Sequence, residues 1–272
     1  MLRTIRATFG RISVVALKAL FPAVARRALE RILLRFRRRR AARRRRRMAR
    51  LRWSRPGAVW AMDFASLRGR RTPDFLLIRD LASKCTLHAR CLPGRGAPVA
   101  AKLETLFCAH GAPLVLKSDN GSHFINAEVE AVLRSFEVTH LRSPVRRPAY
   151  NGSIEASVAP IRSLAFDCAR RAQRDLPIDP DLDLAAHILD QRTDSRRAHA
   201  PTRAQRWDSR TPLDDGMREH FTATRTRHRQ RLLVERGLAE SGNLTHAARA
   251  SIERAATRDA LLECQLLSFN RP

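Results

Sequence analysis

Apolar positions along the chain recur with two different periods. Val14, Leu17, Leu20, Phe21 and Val24 return at helical spacing, so residues 12–35 are expected to form one or two helices, divided at Pro22. Three compact apolar runs follow that suit strands: 59–65, 74–80 (Phe75, Leu76, Leu77, Ile78) and 86–92. After the break Pro93-Gly94-Arg95-Gly96, Val99, Leu103, Leu106 and Phe107 mark one face of a helix over 98–110, with Gly111 as its stop. A fourth strand is predicted at 114–118, a helix at 126–136 through Val129, Val132 and Leu133, and a short fifth strand at 138–141. Helices are then expected over 155–171 and 182–197. Turn-rich 201–217 reads as a linker or irregular segment. Residues 218–272 read as helical, with Leu244, Ala247, Ile252, Ala255 and Ala256 on one apolar face.

The order βββ-α-β-α-β-α predicts an α/β fold with a mixed five-stranded sheet between helices, extended by helical segments at both ends. The expected divisions are a basic helical or disordered arm over 1–55, a core over 56–172, a helix and linker over 173–217, and a helical tail over 218–272.

Charge changes the picture at the N-terminus. Of the net +27, residues 1–55 contribute +19, from 20 Arg and Lys against one acid, Glu30; residues 56–172 carry 16 basic and 10 acidic residues. Nine arginines (Arg37, Arg38, Arg39, Arg40, Arg43, Arg44, Arg45, Arg46, Arg47) fall within 11 positions. Such a tract is either solvated and disordered or a set of phosphate contacts, and a disordered arm can order on nucleic acid. Residues 1–25 are basic and free of acids, as in a leader peptide, but the same periodicity continues through Arg27, Leu29, Ile32 and Leu33 as an ordinary helix. No apolar run reaches 18 residues, so no membrane span is predicted. The five cysteines form no CxxC pair, which speaks against a zinc ribbon and for reduced thiols in a cytoplasm.

Three acids stand where a fold of this order would aim them at one point. Asp63 lies in the apolar run Ala58-Val59-Trp60-Ala61-Met62-Asp63-Phe64; Asp119 ends the fourth strand; Glu155 opens a helix after Tyr150-Asn151-Gly152-Ser153. Singly, each has an ordinary reading as a strand-end, turn or helix-start carboxylate. Brought together, they cannot all ionise without a multivalent cation, and hard oxygen donors suit Mg²⁺ or Mn²⁺. Metal-assisted phosphoryl transfer is the expectation.

The element order, the 35 residues between Asp119 and Glu155, and two flanking strings carry a family resemblance. Lys117-Ser118-Asp119-Asn120-Gly121-Ser122-His123-Phe124 is similar to the strand-four signature of the ribonuclease-H-like integrase core found in retroviral integrases and bacterial insertion-sequence transposases. Pro148-Ala149-Tyr150-Asn151-Gly152-Ser153-Ile154-Glu155 resembles the turn that presents that family's glutamate. Asp80-Leu81-Ala82-Ser83-Lys84 resembles the segment after its second strand. The resemblance spans 57–171. It implies a catalytic and metal-binding triad of Asp63, Asp119 and Glu155 holding two Mg²⁺ or Mn²⁺ ions. It also implies cleavage of double-stranded DNA, followed by joining of the freed 3′-hydroxyl to target DNA. Asn120, Gly121 and Asn151 would shape the site, with Arg162, two helical turns after Glu155, in support. A homo-oligomer on DNA in a bacterial cytoplasm follows from the same likeness. Departures are the lack of any histidine before His88, hence of an N-terminal His/Cys zinc module, and of a clear helix-turn-helix, which points either to one subunit of a two-part system, with a separate subunit carrying one, or to a truncated copy. Pro160 also falls inside the glutamate's helix, where a kink would turn Arg162 away from the site. A nuclease without joining activity and a non-catalytic DNA-binding remnant are the alternatives.

Overall fold

The structure, a computed structural model, describes residues 1–9, 11–47, 50–67, 74–92, 96–144, 150, 152–193, 199–237 and 244–270, with the backbone alone at 41–47, 50 and 270. The chain divides into two compact units, 1–52 with 269–272, and 53–268.

The N-terminal unit is helical. Helix α1 spans Leu2–Ala7, α2 Val14–Leu20 and α3 Arg26–Arg47. Ser13 caps α2 by accepting from the Ala16 N–H at 3.0 Å. The chain leaves α2 at Phe21-Pro22, where proline would remove a helical hydrogen bond, and restarts as α3. Ile5, Leu17, Leu29 and Leu33 form the unit's buried core, each at most 1 % exposed. The basic tract therefore continues a helix whose first half is anchored by apolar packing. Strand β1 (Arg50–Trp53) follows.

In the second unit, β2 (Val59–Ser66), β3 (Asp74–Asp80) and β4 (Thr86–Cys91) form an antiparallel meander. Helix α4 (Ala97–His110) carries the chain back across the sheet to β5 (Val115–Ser118), which pairs parallel with β2. Helix α5 (Ala127–Ser135), capped by Asn126 Oδ1 accepting from Val129 N–H at 2.9 Å, leads to β6 (Thr139–Arg142), parallel with β5. The order is β4-β3-β2-β5-β6, the mixed five-stranded sheet expected.

Helices α6 (Gly152–Arg171), α7 (Asp179–Asp190), α8 (Arg203–Asp208), α9 (Asp215–Glu235) and α10 (His246–Glu263) precede strand β7 (Leu267–Asn270), which pairs with β1. Strand alternation sorts the core into two layers. Ala61 and Ala65 of β2 share one cluster with residues of α6, α7, α9 and α10. Trp60 and Met62 share the other with residues of α4 and α5 and with Trp207 of α8.

Three expectations shift. Helix α7 starts at Asp179 and ends at Asp190, because Asp181 accepts from the Ile178 N–H at 2.9 Å and so closes the helix start. The turn-rich 201–217 contains α8, started by a Thr202–Gln205 capping box, and its Trp207 lies 6.0 Å from Trp60, ring to ring, in the core. The tail is helical only to Glu263, then extended.

Candidate active site

On β2 the pleat turns Asp63 to the same face as Ala61 and Ala65, the face that α6 covers. Its carboxyl is half-buried. Burial first, then the negative charge of Asp119, raises it from the ordinary 3.8 to about 7; the charge of Glu155 adds to this, and a hydrogen bond from Phe64 N–H opposes it. Asp63 thus feels the charges of Asp119 and Glu155 through space, although the three come from a strand, a turn and a helix.

Asp119 directly follows β5. Its Oδ1 accepts from the Gly121 N–H at 2.8 Å, closing a tight aspartate turn. Asn120 Nδ2 donates to the Ser143 carbonyl at 2.7 Å and ties that turn to the segment after β6. Gly121 is required sterically: a Cβ there would sit 2.5 Å from His123 Nε2 and 3.0 Å from Asp119 Oδ1. His123 in turn packs edge-on against Phe64, 4.7 Å between ring centroids, and Phe64 stacks on Phe124 at 5.4 Å. An aromatic wall therefore flanks the residue next to Asp63. Behind Asp119, Ser118 Oγ lies 2.8 Å from His140 Nε2 and donates to the Asp119 carbonyl at 2.7 Å. A single hydroxyl proton goes to that carbonyl, so the His140 Nε2–H donates to Ser118 and Nδ1 carries the lone pair.

Glu155 sits exposed in the first turn of α6, where the helix dipole favours a carboxylate. Asn151 lies outside the described residues. Helix α6 continues through the exposed Pro160, and Arg162 Nη1 donates to the Ser66 carbonyl at the end of β2, 3.3 Å away. Arg162 thus reaches the end of β2, three residues beyond Asp63.

The arginine tract divides. Arg37 Nη2 donates to the Ile12 carbonyl at 3.1 Å, and Arg40 donates to the Phe9 carbonyl while stacking on the Phe9 ring at 4.8 Å. Both thus brace the N-terminal unit. Arg38 and Arg39 are exposed. The backbone of Arg43, Arg44, Arg45, Arg46 and Arg47 continues α3; their side chains lie outside the described residues.

Lys117, quoted in the sequence only as part of a string, turns out to be buried at 4 % exposure. Its Nζ donates to the Tyr150 carbonyl at 3.1 Å, and desolvation pulls its ammonium down to about 8. Strand alternation could have flagged it, since a residue two before Asp119 shares its face.

Among the described residues, no three His, Cys, Asp or Glu side chains stand close enough together to hold a metal ion. The donor chemistry is nevertheless that of a hard cation: burial and the charges of two other carboxylates raise the Asp63 carboxyl, and all three acids offer oxygens suited to Mg²⁺ or Mn²⁺.

The sequence matches no known family profile and no curated protein. Among solved structures, a chain of the simian T-cell lymphotropic virus intasome in complex with PP2A regulatory subunit B56 gamma superposes with a TM-score of 0.51 at 18 % identity, over 60 % of this chain and 59 % of that one. The chain thus spans about three fifths of that neighbour's length. The magnesium-bound HTLV-2 integrase catalytic core domain in its dimeric form gives a TM-score of 0.45 at 21 % identity, over 57 % and 98 % of the two chains. The BIV integrase catalytic core gives 0.45 at 18 %, over 56 % and 93 %. The sheet order and the first of these likenesses show the fold: a ribonuclease-H-like mixed five-stranded sheet flanked by helices.

Proposed function

We propose that this chain is an integrase- or transposase-type polynucleotidyl transferase that cuts double-stranded DNA and joins the freed 3′-hydroxyl end to a target duplex, as bacterial insertion-sequence transposases do. One observation carries the reading. Asp63, Asp119 and Glu155 come from β2, the end of β5 and the first turn of α6, and burial together with the charges of the other two raises the Asp63 carboxyl to about 7. Protein cores avoid like charges unless something neutralises them. In this reading the neutraliser is a divalent cation, Mg²⁺ or Mn²⁺ and two ions in all, which the three carboxylates would hold once drawn together around it. When bound, such ions stabilise the charge that builds on the attacking and leaving oxygens of a phosphodiester.

The chain's own residues then position and orient. The Gly121 N–H fixes one Asp119 oxygen and leaves the other to a ligand, and Asn120 holds the turn against the end of β6. The Phe64–His123–Phe124 wall packs on the opposite face of β2 and braces the strand and the Asp119 turn from behind. The exposed Arg38 and Arg39 of α3 provide charge for phosphates without reading sequence, and Arg43–Arg47 extend that tract in sequence. Joining two DNA ends requires two such sites, so the working form is an oligomer on DNA, with a separate helix-turn-helix subunit for end recognition. Its place is the bacterial nucleoid.

The test uses the full chain, labelled duplex oligonucleotides with blunt and pre-recessed ends, and Mg²⁺ or Mn²⁺. Nicked and joined products are expected from the parent and none from Asp119→Asn, whose DNA affinity stays within about twofold of the parent, since the change removes one negative charge and leaves every phosphate-contacting cation in place. Joined product from Asp119→Asn would refute the proposal, and nicking without joining would leave a nuclease.

A further inference from the structure

A buried ammonium ordinarily stands against a carboxylate, because stripping its water costs several kcal/mol. Lys117 is 4 % exposed, and among the described residues its polar contact is a carbonyl. Nζ donates to the Tyr150 oxygen at 3.1 Å and lies 4.7 Å from the centroid of the Tyr150 ring and 5.5 Å from that of Trp53. The two aromatic faces stabilise the charge, while the hydrogen bond gives the contact its direction.

The placement is informative. Lys117 stands two residues before Asp119, on the same face of β5, and Tyr150 stands two residues before the first residue of α6. The bond therefore joins the strand that ends in one acid to the chain that launches the helix of another, across 33 residues of sequence. Arg162 makes the complementary tie, from the third turn of α6 to the Ser66 carbonyl, three residues after Asp63. Helix α6 is thus fastened to β5 at its entry and to β2 further along, by one basic side chain each. The first turn, with Glu155, lies between the two ties. Ile154 seats the helix start in the core and the Tyr150 carbonyl fixes the chain that enters it; when that bond is lost the start can shift or fray, because its first N–H groups have no partners within the helix.

We propose that Lys117 is a positioning residue: its hydrogen bond to the Tyr150 carbonyl sets where α6 begins, and so how Glu155 is aimed toward Asp63 and Asp119. The inference rests on Glu155 being an acid of the site. Lysine suits the task. A long apolar stem passes through the core, and a compact head offers three donors and two aromatic contacts. The acceptor is backbone, so no substitution at position 150 can replace it.

The experiment compares the parent with Lys117→Met and Lys117→Gln in the full chain. Methionine keeps the stem without the donor; glutamine keeps a donor without the charge. Four quantities are read: thermal melting, amide hydrogen exchange over residues 152–158, Mn²⁺ affinity by electron paramagnetic resonance, and single-turnover cleavage beside DNA affinity. For Lys117→Met, melting is expected to stay level or rise, since an apolar replacement of a buried charge is often neutral or stabilising. Exchange over 152–158 accelerates by about tenfold or more and Mn²⁺ binds about tenfold more weakly, the usual scale for removing an outer support. Cleavage slows by about 10–100-fold at unchanged DNA affinity. Lys117→Gln recovers part of each loss. Parent-like exchange and Mn²⁺ affinity in Lys117→Met would overturn the inference. So would a general loss of stability in both variants with no selective effect at 152–158, which marks Lys117 as only structural. A parent that cleaves no DNA, with faster exchange in Lys117→Met, instead overturns the functional proposal and leaves the tie standing.

Discussion

Replacing Asp63 by asparagine should stabilise the metal-free protein at neutral and higher pH. The native fold holds this carboxyl at about 7 against an ordinary 3.8, through burial and the charges of Asp119 and Glu155. A native pKa raised above the unfolded value means that the folded state binds the proton more tightly. Stability is then greatest below about pH 4, falls as pH rises from about 4 to 7, and stays low above that. At about 1.4 kcal/mol per pKa unit, the interval sets a ceiling of about 4 kcal/mol. Partial solvent access and side-chain relaxation lower the expected cost of the ionised form to about 2 kcal/mol. Asparagine keeps the shape of the protonated acid and carries no charge at any pH. In EDTA at about pH 8, Asp63→Asn should therefore melt about 4–8 °C above the parent, and at about pH 4 the two should melt together. Mn²⁺ should raise the melting temperature of the parent at the higher pH and leave Asp63→Asn unmoved, because a bound cation removes the repulsion. Urea unfolding followed by circular dichroism gives the same comparison in free energy. An Asp63→Asn protein less stable than the parent at about pH 8, or a pH-independent difference, would refute the raised Asp63 carboxyl.

Gly121→Ala places a methyl 2.5 Å from the His123 ring, so a loss of about 1–3 kcal/mol is expected. The double variant with His123→Ala should recover most of it, and additive losses in a double-mutant cycle would show that the ring is not the obstacle. His88 is held down to about 4, by burial first and then by the charges of Lys102 and Arg90. Its depressed pKa contributes a stability that is full above about 6.5 and lost as pH falls toward 4; His88→Gln should flatten that acid-side loss by about 1–3 kcal/mol, and a parent His88 proton resonance titrating near 6.5 would contradict it. Arg38→Glu with Arg39→Glu should weaken duplex binding at every sequence and reduce the salt slope by about 2, read by fluorescence anisotropy. An unchanged slope would remove these two arginines from the DNA contacts.

Much of the fold could be read from periodicity. The strand runs around Val59–Ser66 and Asp74–Asp80 are apolar and β-rich, Asn126 and Gly111 mark a helix start and stop, and the parallel crossovers follow from the alternation of strands with helices. The candidate acids were legible for the same reason, since alternation along β2 assigns Asp63 a face once Trp60 and Met62 are recognised as apolar partners. The segment 201–217 was not legible, because its turn residues describe the local backbone while Trp207 takes its place from contacts with Trp60 of β2 and His110 of α4. Arg37 and Arg40 looked like free phosphate ligands, and tertiary structure occupies both with carbonyls more than 20 residues away.

By itself the sequence determined what nearest neighbours along the chain decide: helix and strand periods, caps, the aspartate turn at Asp119 and the concentration of charge before residue 56. Only the tertiary structure decided how Lys117 is used, that Arg162 turns toward β2, and that burial with two remote carboxylates would hold Asp63 near neutrality. The physical reason is range. Backbone propensity and capping act over about four residues. Desolvation, like-charge repulsion and a buried donor's choice of acceptor depend on atoms brought together from distant parts of the chain, and no local pattern encodes them.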